Sequence, residues 1–244
     1  MPKYLQFATV FLIGYTIFLI GCEDTMQMMK PVLTQPETSV ELEEPIVDFP
    51  DPSLHTAVRE ALGLASDDAI TPEVLQTLIE LDAWNREITD LTGLEYATEL
   101  KVVNLHNNSI NDMSPLEGLV QLTELSLSYN QISDIRPISG LTQLTALVLY
   151  GNQISDITAL EGLTGLTTLG FRDNQITDIR PIAGLTQLKV LDLQGNNITD
   201  IRPIAALVNL ELLFIEKDPI TDKALLQSLL EKDPNLKINI EAND

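Results

Sequence analysis

The chain has 244 residues, of which 44% are hydrophobic but only 5% aromatic, so any core must be built from aliphatic side chains rather than from the rings of an aromatic-rich sandwich. Its formal charge of −22 gives it a surface that repels phosphate backbones and argues against nucleic acid as a partner. A single cysteine, Cys22, excludes an intrachain disulfide and a cysteine-based metal site.

The first segment reads as an address. Lys3 precedes an apolar run over residues 4–20, and Gly21-Cys22 closes it. A basic start, a hydrophobic stretch and a small residue before the cut describe a secretory signal over residues 1–21. At 17 residues, with Gln6, Thr9, Gly14 and Thr16 inside it, the run sits at the short limit for spanning a bilayer. The sequence Leu19-Ile20-Gly21-Cys22 resembles the lipobox of bacterial lipoproteins. That resemblance implies cleavage before Cys22 and lipidation of its thiol, which would place the protein on a cell or outer membrane, lipid-anchored and outside the cytoplasm. Residues 22–47 follow, acidic and broken by Pro31, Pro36 and Pro45, without apolar periodicity. They read as a disordered tether, with an average reach of roughly 25–30 Å.

Residues 48–77 read as a helical cap. Asp51-Pro52 starts one helix with N-cap and first-turn proline chemistry, and Leu54, Val58, Ala61 and Leu62 form its apolar face. Thr71-Pro72 starts a second, shorter helix in the same way.

From residue 78 to 220 the sequence repeats every 22 residues, through seven units. Leu78, Leu100, Leu122, Leu144, Leu166, Leu188 and Leu210 open the units, with a second apolar column from Leu81 to Leu213 and a third from Ala83 to Ile215. An asparagine column follows (Asn108, Asn130, Asn152, Asn174, Asn196), then an isoleucine column from Ile88 to Ile220. The unit L-x-x-L-x-L-x-x-N-x-I is the leucine-rich-repeat pattern. Its alternating part predicts a short parallel strand with leucines inward, each unit burying its leucines against the next. The asparagine amides are expected to satisfy buried turn backbone groups. In the second half of each unit Pro137, Pro181 and Pro203 favour one turn of 3₁₀ helix, and the aspartates from Asp90 to Asp222 stand where Asp caps a turn. One aspartate per turn is too few for a calcium ladder. Residues 221–244 close the solenoid, with a helix expected from Asp222 to Lys232, capped by Thr221, that turns Leu225, Leu226, Leu229 and Leu230 inward.

The fold expected is therefore an α/β repeat, a right-handed leucine-rich-repeat solenoid with parallel strands on its concave face and helical caps. Residues 49–231 resemble the internalin-type leucine-rich-repeat domains of bacterial surface proteins, through the cap FPDPSLHTAVREALG and units such as LTQLTALVLYGNQISDI. The resemblance implies a horseshoe that binds partner proteins on its concave sheet. Arg86 and Asp218, at the two ends of the asparagine column, depart from the pattern as end units do.

The sequence holds two histidines and none of the common nucleophile, zinc-protease, phosphate-loop or paired-cysteine motifs, so no enzyme, cofactor or metal is expected. Repeat register assigns the outward strand positions. One column reads Trp84, His106, Ser128, Tyr150, Arg172, Gln194, Glu216. Beside it stand Asn85, Asn107, Tyr129, Gly151, Asp173, Gly195 and Lys217, and on the other flank Asp82, Asn104, Ser126, Val148, Gly170, Asp192 and Phe214. Trp, Tyr and Arg dominate interface hot spots. The expected ligand face is thus Trp84, His106, Tyr129, Tyr150 and Arg172, with Arg172 stacked on Tyr150, Trp84 neighbouring His106, and Asp173 and Asp192 forming an acidic edge. The partner expected there is a protein or peptide, and the alternative role is a structural or self-associating envelope protein. An intracellular regulatory subunit, a third possibility for 22-residue repeats, conflicts with the signal segment.

Overall fold

The computed structural model describes residues 45–221, 223–232 and 236–239. Cys22, the signal segment, most of the tether and Asp222 lie outside the described residues. Folded structure reaches at least to Val47, which is buried and whose N–H donates to the Ile70 carbonyl at 2.8 Å.

Helix α1 (Pro52–Leu62) ends on Gly63 in the left-handed conformation, and α2 (Pro72–Leu75) begins on Thr71. Seven three-residue strands follow at 22-residue intervals: β1 (Glu80–Asp82), β2 (Val102–Asn104), β3 (Glu124–Ser126), β4 (Ala146–Val148), β5 (Thr168–Gly170), β6 (Val190–Asp192) and β7 (Leu212–Phe214). They pair in parallel in strict sequence order, each residue opposite the one 22 positions on, as Leu125 is opposite Leu147. Helix α3 (Lys223–Lys232) is followed by a strand that the repeat pattern does not announce, β8 (Lys237–Asn239), which adds to β7 and makes the sheet eight-stranded. Within α3, Leu226 and Leu229 are buried as expected but Leu230 is 40% exposed. The Thr221 hydroxyl donates to the Thr199 carbonyl at 3.2 Å.

Each of β1 to β6 is followed by a 3₁₀ turn, such as Arg136–Gly140 and Arg180–Gly184, with a buried isoleucine or leucine pointing back to the strands. Pro137 and Pro181 sit in the first turn of these segments, where a missing N–H costs nothing. Just ahead, Asp134 and Asp178 each accept the backbone N–H two residues on at 2.9 Å. Each carboxylate also grips the guanidinium of Arg136 or Arg180, and these bonds hold its pKa below the ordinary carboxylate value. Strands spaced about 4.8 Å apart are narrower than stacked helical turns, so the sheet takes the inside of the curve.

The asparagine ladder joins the repeats. The Oδ1 atoms of Asn108, Asn130, Asn152, Asn174 and Asn196 accept the isoleucine N–H 20 residues earlier at 2.9–3.0 Å. Each Nδ2 donates to carbonyls of its own repeat and to one of the repeat before, as Asn152 does to Leu149 and Tyr150 and to Leu127. Every rung is therefore an inter-repeat bond. At the first unit, where Arg86 replaces asparagine, the Arg86 N–H donates to Asn108 Oδ1 and its guanidinium reaches Glu60 of α1 at 2.6 Å.

Candidate protein-binding face

Along each of β1 to β7 the central leucine or valine points into the core and its two neighbours point to the concave surface. Two columns therefore stand on the sheet itself, starting at Glu80 and Asp82, and a third, starting at Trp84, follows the strand ends. The residue after that third column is not on a strand at all. Asn85, Asn107, Tyr129, Gly151, Asp173, Gly195 and Lys217 all have φ between 54° and 68°, a left-handed corner repeated seven times. Glycine at 151 and 195, and asparagine at 85 and 107, suit such a corner. Tyrosine does not, and Tyr129 is held there at φ 55°.

The corner aims the Tyr129 ring along the sheet. It lies flat over Gly151, where an added Cβ would come within 2.7 Å of the ring. Its other neighbour is His106, edge-on with ring centroids 5.3 Å apart. His106 thus pairs with Tyr129 rather than with Trp84. Trp84 is 55% exposed and Tyr129 is 48% exposed, so both present ring surface to solvent.

Tyr150 behaves differently from its expectation. Its ring lies over Gly170 in the next repeat, where a Cβ would fall on the ring atoms, and its phenol interacts electrostatically with the Asp192 carboxyl. Arg172 is not stacked on it; its Nε meets Asp173 at 3.4 Å. Asp173 in turn lies over Gly195. The expected acidic edge is consequently divided. Asp173 is exposed, but Asp192 is buried, because the missing side chain at Gly170 lets the Tyr150 ring descend over it. Burial pushes the Asp192 pKa up, against the Gln194 N–H, the charge of Arg172 and the Tyr150 hydroxyl, which lower it. The Tyr150 phenol is also raised, first by burial and then by the charge on Asp192. The Tyr150 shift favours a phenol that keeps its proton, whereas burial at Asp192 works against the charged form of its carboxyl. Ser128 and Gln194 of the same column are also buried; the Ser128 hydroxyl oxygen accepts the Tyr150 N–H at 3.1 Å.

Sequence reasoning places the sheet column from Asp82 to Phe214 on the outward flank but, weighting aromatic and charged residues, leaves out the one that starts at Glu80. Ala146, Val148, Val190, Leu212 and Phe214 form a half-buried apolar strip across the last four repeats. Glu80, Asp82, Asn104 and Glu124 make the first repeats polar and acidic, tied by the Asn104 amide donating to Asp82 at 2.9 Å. Plain two-residue alternation about the leucine column is the signal that finds both. Among the described residues no group of three or more His, Cys, Asp or Glu is arranged to hold a metal ion.

These features have counterparts. A two-copy leucine-rich-repeat profile matches residues 120–162, 164–204 and 186–227. Comparison with curated protein sequences gives no match. Among solved structures, internalin C2 of Listeria monocytogenes is 33% identical with a TM-score of 0.62, the match covering 79% of this chain and 94% of that one. An internalin (inlF) of the same species is 32% identical with a TM-score of 0.64, over 80% of this chain and 65% of that one. A leucine-rich-repeat protein of Leptospira interrogans, 24% identical with a TM-score of 0.55 over 70% of this chain and 51% of its own, shares the fold. With the cap, the 22-residue units and the asparagine ladder in place, this chain belongs to the internalin-type leucine-rich-repeat proteins.

Proposed function

We propose that the chain is a lipid-anchored, extracytoplasmic binding module that seats a protein or peptide of partly basic character on its concave face. Leucine-rich-repeat folds commonly serve protein–protein recognition, and internalin-like proteins are typically non-enzymatic. The observation that carries the reading is Tyr129. A left-handed backbone costs a non-glycine residue about 1–2 kcal/mol, and the protein spends that stability to hold a ring, half exposed, between His106 and Gly151. Trp84 extends the aromatic surface, the apolar strip continues it, and Glu80, Asp82, Glu124 and Asp173 favour basic groups on the partner.

The test uses one set of variants in two measurements. Trp84→Ser, Tyr129→Asn and Arg172→Ala are each expected to weaken a captured partner at least about fivefold, or ~1 kcal/mol. The convex-side changes Arg136→Ala and Arg180→Ala should leave affinity unchanged. Tyr129→Asn should melt no lower than the wild type, because asparagine already occupies the same corner at residues 85 and 107. Convex variants that lose the partner while concave ones keep it would put the functional face on the wrong side.

The anchor rests on the sequence around Cys22. Metabolic labelling with a fatty acid should mark the wild type and leave Cys22→Ala unlabelled as an unprocessed precursor, since only the thiol can accept the lipid. Normal maturation of Cys22→Ala, with its N-terminus elsewhere, would end the lipoprotein reading.

A further inference from the structure

The asparagine ladder closes on an acid. Asp218 takes the column's last place, and its Oδ1 accepts the Ile198 N–H at 3.0 Å, as Asn196 Oδ1 accepts that of Ile176. Its second oxygen therefore occupies the place of an amide nitrogen. In Asn196 that nitrogen donates to the carbonyls of Leu193 and Phe171, 3 and 25 residues earlier. The same offsets from residue 218 fall on the carbonyls of Ile215 and Leu193. An ionised carboxylate has only lone pairs to set against them. Asp218 is 6% exposed, and its Oδ2 is buried without a hydrogen-bond partner.

We propose that Asp218 closes the ladder as a neutral acid whose proton is shared with these carbonyls, and that loss of this proton loosens the junction between the seventh repeat and the C-terminal cap. Among the described residues the surroundings offer no charged substitute. The facing turn of the sixth repeat presents Gln194 and Asn196, both neutral, with Arg202 held by Asp200 further along. On its own turn stand Glu216 and the exposed Lys217; α3 turns Leu226 and Leu229 inward and keeps Gln227 and Glu231 in solvent, and Lys237 of β8 is exposed. Burial raises the Asp218 carboxyl to about 6, against the N–H groups of Ile198 and Asn196, which lower it. A folded-state pKa above the ordinary 3.8 means that the closed junction binds the proton more tightly than the open one. The stabilisation is complete below about pH 4, declines as pH rises, and is gone above about pH 6.

Amide exchange of the full-length chain, corrected for intrinsic rates, tests this at Ile198, along β7 and along β8. Between pH 4.5 and 7.5 the opening constant of this region should rise on the order of twentyfold in the wild type. In Asp218→Asn, which restores the amide donor, that rise should disappear, leaving the region better protected at neutral pH. The Asp218 carboxyl carbon, followed by NMR in the wild type, should titrate near 6 and keeps the proposal testable should the variant not fold. Equal pH slopes in the two proteins, or a carboxyl titrating near 4, would overturn it.

Discussion

Replacing Asn152 by leucine is expected to lower the stability of the solenoid by about 3 kcal/mol, while Gln153→Ala beside it changes stability by no more than about 0.5 kcal/mol. The difference comes from what each side chain does. Asn152 is buried; its Oδ1 takes the Ile132 N–H at 3.0 Å and its Nδ2 serves the carbonyls of Leu127 and Leu149 at 3.0 and 3.1 Å. Leucine has the same number of side-chain heavy atoms, though bulkier ones, and no polar atom, so three buried backbone groups lose this partner at once. Each orphaned group costs about 1–3 kcal/mol, partly offset by relaxation and by the apolar gain. Gln153 is exposed and contributes mainly its backbone N–H, which any residue supplies to the Ile132 carbonyl. For a folded region of this size the Asn152→Leu midpoint should fall by roughly 6–12 °C. Similar small shifts in both variants would mean that the ladder does not join the repeats as the distances indicate.

Periodicity made the solenoid legible because a solenoid is nearly one-dimensional. Once Leu81, Val103 and Leu125 are aligned at 22-residue spacing, the strand register follows, and the structure pairs those residues as spaced. The asparagines and the turn-capping aspartates were legible for the same reason: a polar residue repeated in register inside an apolar frame has a backbone task. Strand β8 was not, because Lys237–Asn239 pairs with Leu212–Phe214 at a 25-residue offset, outside the period, and follows a helix rather than a repeat.

The candidate face was half legible. Register placed Trp84, Tyr129 and Arg172 on the concave side, and the structure leaves them exposed. It could not say that the Tyr129 column turns a left-handed corner, although Asn85, Asn107, Gly151 and Gly195 in one column are the trace that such a corner leaves. The fates of Tyr150 and Asp192 were beyond a columnar reading, because they depend on a diagonal relation. Gly170 must be empty for the Tyr150 ring to cross it, and only then does Asp192 lose solvent beside the phenol. A pattern that compares residues 22 apart treats each column separately, whereas side chains on a twisted sheet lean across columns.

Asp51→Ala should detach the N-terminal cap. Asp51 is the N-cap of α1, its Oδ1 accepting the N–H groups of Ser53 and Leu54 at 2.9 and 3.0 Å. That role alone is worth about 1 kcal/mol. The second oxygen does something that the N-cap motif does not announce: it crosses to the first repeat and accepts from the Thr89 N–H at 2.8 Å, the Thr89 hydroxyl at 3.1 Å and the Asp90 N–H at 3.3 Å. One carboxylate therefore ends a helix and fastens it to the solenoid, in a site where Asp51 is 7% exposed. Alanine leaves four backbone donors without this acceptor, and with water able to reach some of them the loss should be about 3–4 kcal/mol. Asp51→Asn keeps one accepting oxygen but turns an N–H₂ toward the other pair of donors, so it should recover at most about half. The pH dependence identifies the charge. Burial raises the Asp51 pKa, but the Thr89, Leu54 and Asp90 N–H groups and the Thr89 hydroxyl together hold it below 3.8. Its contribution is thus complete above about pH 4 and is lost as the pH falls through the lower folded value. The gap between wild type and Asp51→Ala, read from denaturant midpoints and from amide exchange in α1, should be constant from pH 5 to 7 and narrow in stronger acid. A gap that stays unchanged into strong acid would show that Asp51 acts through packing and not through its carboxylate.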